Sequence, residues 1–179
     1  LRSRMSKAGS GCYHSLMLVE LNLVGVRLEV PSNVPVLMLK ESEGKMRELP
    51  IFIGGPEASA IHYALEGIVP ERPLTHDLLV SVVSEMGGTI EKIVLTDVVE
   101  HTYFAEIEIA VKGSTNRISS RPSDAVAIAV RVGAPIYAES ALMDAAAKEP
   151  PVVQPDDEEG ILDDFRQFIN SINPEDFQG

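Results

Sequence analysis

Apolar and polar residues alternate along residues 18–30, but the alternation changes phase midway. Val19, Leu21 and Leu23 are apolar with Glu20 and Asn22 between them. Beyond Gly25 the apolar positions are Val26, Leu28 and Val30, separated by Arg27 and Glu29. A period of two is that of a half-buried strand, and a one-residue phase change at a glycine is what a β-bulge produces. Residues 34–40, with Pro35 suited to a sheet edge or a strand start, and residues 49–53 extend this to a meander, joined by a polar turn around Gly44. Gly54-Gly55-Pro56 opens a helix that runs to Glu66, with Ile61, Ala64, Leu65 and Ile68 as its apolar face. Thr75 reads as the N-cap of a second helix, which carries Leu78, Leu79, Val82, Val83 and Met86 on one side and stops at Gly87-Gly88. Residues 89–99 and 102–112 read as two strands of a tight hairpin, and 115–119 as a third, short strand. Pro122 suits the first turn of a helix that is apolar nearly all round and is therefore expected to be buried. A short strand at 135–138 and a short helix at 140–148 complete the pattern.

Strands outnumber helices and arrive in hairpins. This predicts an α+β fold, an antiparallel or mixed sheet with helices packed on it, rather than a doubly wound parallel sheet. The expected organisation is a basic leader over 1–16, outside the fold, a compact domain over 17–147, and a proline-rich acidic linker with an amphipathic tail over 148–179. In the tail, Ile161, Leu162, Phe165, Phe168, Ile169 and Ile172 form an apolar stripe that needs a partner surface, so docking onto a protein partner is expected there.

Composition adds limits. Hydrophobic residues make up 45% and charged residues 23%, as in ordinary globular chains. The single cysteine, Cys12, cannot build a disulfide framework or a cysteine-based zinc site within one chain, which fits a reducing, cytoplasmic setting. No apolar run reaches the ~18 residues that would span a bilayer, so no membrane association is expected. The net charge is −12, and residues 148–179 carry nine acids against Lys148 and Arg166. That balance opposes tight nucleic-acid binding, which draws on neutralised phosphates. Walker loops, His-Glu-x-x-His and Gly-x-Ser-x-Gly motifs do not occur in the chain.

Four clusters could carry chemistry, and each has a plainer structural reading beside it. Arg121-Pro122-Ser123-Asp124 opens the buried helix. Free N–H groups and the dipole there favour anions, with Arg121 for a phosphate and Asp124 for a metal ion, or Asp124 as a first-turn cap paired with Arg121. Arg72-Pro73-Leu74-Thr75-His76-Asp77 offers a general base with its orienter or two metal ligands, against simple capping. Glu57 lies in the first turn after Gly54-Gly55-Pro56, as a dipole partner or as a ligand facing a cleft. Glu106 and Glu108 share one strand face, where they could hold Mg²⁺ or Mn²⁺ or simply alternate charge on a solvated face.

The order of these segments resembles one family. Leu49-Pro50-Ile51-Phe52-Ile53-Gly54, Glu57-Ala58, Arg72-Pro73-Leu74-Thr75-His76-Asp77-Leu78 and Arg121-Pro122-Ser123-Asp124-Ala125 follow one another as in the bifunctional nucleases of bacteria and plants. The resemblance covers about residues 17–142. It implies an α+β domain that pairs as a homodimer and a nuclease that hydrolyses phosphodiester bonds of DNA, RNA or both, with a divalent ion, Mg²⁺ or Mn²⁺, and no organic cofactor. It points to Glu57, His76, Asp77, Arg121 and Asp124 as catalytic, to Arg72, Thr75, Arg121 and Ser123 as substrate-binding, and to Asp124, Glu57 and Asp77 as metal ligands. Many members have an aspartate where this chain has Ser119, and plant members often carry a basic motif where this chain has an acidic tail. The alternative is a non-catalytic dimeric module that binds a small anionic ligand or a protein partner.

Overall fold

The computed structural model describes residues 17–150. The basic leader and the amphipathic tail lie outside the described residues. Seven strands form one mixed sheet in the order β3-β2-β1-β7-β4-β5-β6. The first three, β1 (Leu18–Glu29), β2 (Val34–Glu41) and β3 (Glu48–Phe52), make the expected meander. Its register slips between Leu23 and Gly25, so Val24 is the extra residue of the bulge and Gly25 takes φ 145°, a value L side chains rarely adopt. Pro35 sits at the start of an interior strand, not on an edge; β3 ends at Phe52, opposite Val36, and the Pro35 carbonyl accepts from the Ile53 N–H just beyond it at 3.0 Å.

The second half repeats the plan. Strands β4 (Gly88–Val99), β5 (Thr102–Val111) and β6 (Ser114–Ser120) are antiparallel neighbours, and β6 is an edge. Glu100 and His101 both have positive φ, 48° and 65°, as a two-residue hairpin turn of the I′ kind demands. The last strand, β7 (Ile136–Glu139), enters the middle of the sheet, antiparallel to β1 and parallel to β4. Within the described sheet it is the strand that bridges the two halves.

Helices α1 (Gly55–Leu65), α2 (Thr75–Glu85), α3 (Pro122–Val132) and α4 (Ser140–Ala146) complete the domain. One apolar cluster unites the sheet with α1, α3 and α4, built on Leu37, Leu39, Leu49, Ile61, Ile93, Leu95, Val126, Ile128 and Met143. Helix α3 is the centre: Ala125 to Ala129 are all buried, and the small alanines let α1 and the sheet approach closely. It ends at Gly133 in the left-handed region, φ 68°.

Four features go beyond the sequence reading. The apolar stripes of α1 and α2 are only partly covered: Leu65, Ile68, Leu78, Leu79, Val82 and Met86 remain exposed, and α2 has no fully buried residue. Periodicity reports that a helix has an apolar face; it does not report that the same chain covers it. The turn around Gly44 hides a buried ion pair. Arg47 Nη2 donates to Glu41 Oε1 at 2.7 Å, the Arg47 backbone N–H donates to Glu41 Oε2 at 2.9 Å, and Arg47 Nη1 reaches Asp144 of α4 at 2.8 Å. Glu108 is buried rather than solvated, because Lys92 at 3.3 Å and Arg117 at 3.2 Å close over it from the flanking strands. Lys148 exchanges two backbone hydrogen bonds with Glu48, so the first residue of the expected linker is tied to the domain.

Candidate functional site

Helices α1, α2 and α3 share an unusual start. Their N-cap positions are Gly54, Leu74 and Arg121, and none supplies a side-chain cap. Each instead carries an acid at the third helical position: Glu57, Asp77 and Asp124. A carboxylate there offsets the positive end of the helix dipole. Thr75 is the first residue of α2 and not its cap, because the chain turns helical one residue earlier than the threonine hydroxyl would require.

Two of the three acids meet. Arg121 Nε donates to Asp124 Oδ2 at 2.7 Å, and its Nη2 donates to Glu57 Oε1 at 2.8 Å and to Asp124 Oδ1 at 3.1 Å. His76 Nε2 lies 3.0 Å from Asp124 Oδ1. The first turns of three helices are thus joined through one guanidinium and one carboxylate. Burial pushes the Asp124 carboxyl up, but hydrogen bonds from Arg121 and His76 together outweigh it, so the group is held below the usual carboxylate range. As an ionised acceptor it receives a hydrogen bond from the Nε2–H of His76, which leaves Nδ1 as the ring nitrogen with a free lone pair. Its two carboxylate partners raise the pKa of Arg121 above its ordinary value.

Asp77 takes another direction. It accepts from the Leu74 backbone N–H at 2.9 Å and from Arg131 Nε of α3, while Arg131 Nη1 donates to the Ala127 carbonyl. Burial acts to raise its pKa, and Arg131 with the Leu74 N–H lowers it further than burial raises it. Adjacent residues of a helix point to different neighbours, so His76 joins the cluster and Asp77 lines a separate cleft with Arg131, Ser81 and Tyr63.

Two clefts flank the cluster. One, of about 500 Å³, is lined by Pro56, Glu57, Leu74, Thr75, His76, Arg121 and Asp124. The other, of about 470 Å³, lies between α2 and the edge strand and is lined by Thr75, His76, Leu79, Ile118, Ser119, Arg121 and Asp124. His76 and Asp124 are largely buried, whereas the Arg121 side chain is 66% exposed. Ser123 is buried beside Arg121, in a third depression that includes Tyr103 and Gly54. Arg72 is exposed in the α1–α2 connection and forms no ion pair with the cluster among the described residues. Glu106 and Glu108 lie apart, in a small depression with Arg117 and Glu139.

Sequence reasoning missed the part played by Gly54. A Cβ there would run into the Glu57 carboxylate, which folds back over the glycine on its way to Arg121. A Gly-Gly-Pro-Glu run is the signal, but it also suits a plain helix start. The expected metal set does not fit this arrangement. Asp77 is committed to Arg131, and Arg121 already bridges Glu57 and Asp124 at the place a cation would take. No group of three acids, histidines or cysteines among the described residues is arranged to hold a metal ion.

An α+β domain with an exposed arginine fixed between two carboxylates, beside a histidine oriented by one of them, is equipped to hold an oxyanion and move a proton. The chain belongs to the bifunctional nuclease domain family, whose pattern it matches over residues 37–151. The protein Rv1829 of Mycobacterium tuberculosis, for which no activity is named, is 38% identical over 167 residues, 89% of this chain and 98% of its own length. Bifunctional nuclease 1 of Arabidopsis thaliana is 30% identical over 105 residues, 57% of this chain and 32% of the plant protein. Bifunctional nuclease 2 of the same plant is 30% identical over 112 residues, 60% and 34% of the two chains.

Proposed function

We propose that this protein is a nuclease that hydrolyses phosphodiester bonds of DNA, RNA or both at the His76–Asp124–Arg121–Glu57 cluster. The observation that carries the reading is Asp124, which binds His76 and Arg121 through one carboxylate. Arg121, anchored on both sides, presents its remaining N–H groups to a phosphate and steadies the charge that develops on it. His76, turned by Asp124, exchanges a proton with the attacking or leaving oxygen. The names of the two Arabidopsis relatives support the same activity. The test is incubation of plasmid and of RNA with the full chain, in EDTA and in Mg²⁺ or Mn²⁺. Cleavage should be lost in His76→Ala and Arg121→Ala, with unfolding midpoints close to the parent. Variants as active as the parent would refute the assignment.

The net charge of −12 favours a second reading, a binding module for a small anionic ligand. Phosphate or nucleotide binding that Arg121→Ala abolishes, without turnover of any polymer, would establish it. A homodimer belongs with either reading. The exposed α2 side chains Leu78, Leu79, Val82 and Met86 and the strand β6, an edge among the described residues, are the surface that pairing would cover. Light scattering that finds only monomer at micromolar concentration would end that part of the proposal.

A further inference from the structure

The misfit between the cluster and a metal ion bears on which polymer the protein cuts. Metal-assisted hydrolysis needs oxygen ligands that are free to surround the ion, and the ion generates the attacking hydroxide. Here both carboxylates at the clefts hold the same guanidinium, at 2.8 Å from Glu57 and 2.7 Å from Asp124. A divalent ion between them would lie against a fixed positive charge or would have to expel it. The third acid, Asp77, is turned to Arg131 and lines a different cleft. The remaining equipment is one oriented imidazole and one clamped arginine. That is weak apparatus for activating water against a DNA phosphodiester, whose reaction has no nucleophile of its own. An RNA phosphodiester differs: the neighbouring 2′-hydroxyl is already held close to the phosphorus, and intramolecular attack gains a large effective concentration.

We infer, resting on the nuclease reading above, that the cluster cleaves RNA without a metal ion, by attack of the 2′-hydroxyl on the adjacent phosphorus. Asp124 Oδ1 fixes the Nε2–H of His76, so Nδ1 is the nitrogen left to take a proton. The 2′-oxygen forms a bond to phosphorus as its proton passes to His76 Nδ1. The bond from phosphorus to the 5′-oxygen breaks, and that oxygen takes a proton from water. The products are a 2′,3′-cyclic phosphate and a 5′-hydroxyl, with no oxidant, reductant or further reactant required. Arg121 holds the nonbridging oxygens through the transition state. Glu57 touches only Arg121 in this scheme and is a positioning residue. DNA, which lacks the 2′-hydroxyl, is not a substrate by this route.

The experiment uses the full chain and an RNA oligonucleotide labelled at its 5′ end, in EDTA, with the matching DNA and with an RNA carrying a single 2′-O-methyl group at the mapped cut. The inference expects the RNA to be cut to ends bearing a 2′,3′-cyclic phosphate, and both the DNA and the methylated bond to stay intact. His76→Ala, purified in parallel, should lower the rate by about 100-fold or more, and equal cleavage by that variant would overturn the inference. Cleavage that appears only when Mg²⁺ or Mn²⁺ is restored, or DNA cleavage in EDTA, would overturn it while leaving the nuclease reading standing. Failure to cut either polymer with or without metal would remove the nuclease reading, and this inference with it.

Discussion

Replacing Asp77 by asparagine separates structure from chemistry at the start of α2. Asp77→Asn keeps an oxygen for the Leu74 N–H but removes the charge that faces Arg131. The Arg131 side chain is only 10% exposed, so its guanidinium would remain buried with the Ala127 carbonyl and no counter-charge. Breaking a buried pair from one side costs about 3–5 kcal/mol, and Asp77 is partly open to solvent, which places this case near about 2–3 kcal/mol. In a domain of this size that lowers the midpoint of thermal unfolding by roughly 10 °C. Asp124→Asn is the contrast. Its main partner, Arg121, is largely exposed, and an asparagine oxygen still accepts one bond, so the loss is about 1 kcal/mol or less. Urea or thermal unfolding of both variants measures the difference. The sign with pH follows from the depressed Asp77 carboxyl: the advantage of the parent is complete above the unfolded-state value of ~4 and fades as pH falls through the folded-state value. Equal stability of Asp77→Asn and the parent, or a larger loss in Asp124→Asn, would refute the division of labour between these two acids.

Gly54→Ala should displace the Glu57 carboxylate and release Arg121 from one anchor. Gly54 has φ −75°, which alanine accepts, so stability should change by less than about 1 kcal/mol while anion binding or cleavage falls. A crystal structure of that variant with the Glu57–Arg121 bond intact would contradict this. Glu139→Gln should raise stability at neutral pH, because burial and the nearby Asp97 and Glu106 hold the Glu139 carboxyl above its ordinary range against the pull of Arg117. The gain should vanish below the unfolded-state value and grow as pH rises through the folded one; a variant less stable than the parent at pH 7 would count against it. Ala127→Leu in the centre of α3, where no exposure remains, should cost about 1–3 kcal/mol through overpacking, measured by urea unfolding at unchanged slope.

Local chemistry made much of this fold legible. The bulge at Gly25 announced itself as a phase change, and the Glu100-His101 hairpin as a link of two residues between alternating runs. Helix α3 was visible as a buried element because it has no polar face. The position of β7 was not visible: a four-residue apolar segment carries no record of which strands it will join. The burial of Glu108 was hidden for a related reason, since its partners Lys92 and Arg117 come from other strands. At the site, chemistry and family resemblance named Glu57, His76, Arg121 and Asp124, which the structure brings together, and also Asp77 and Arg72, which it directs elsewhere. Nearness to a helix start is written in the sequence; the neighbour a side chain finds across the domain is not.

The placement of β7 also gives the molecule a timetable. During synthesis the hairpin-rich halves, β1–β3 and β4–β6, can each form from contacts close along the chain. Their two inner edges, β1 and β4, stay open until residues 136–139 have left the ribosome. Open edges with apolar faces invite pairing with the wrong partner. A chain cut before Ile136 would therefore display two incomplete sheets at once. The strand that ends this exposure is only four residues long, and among the described residues it is the last one made.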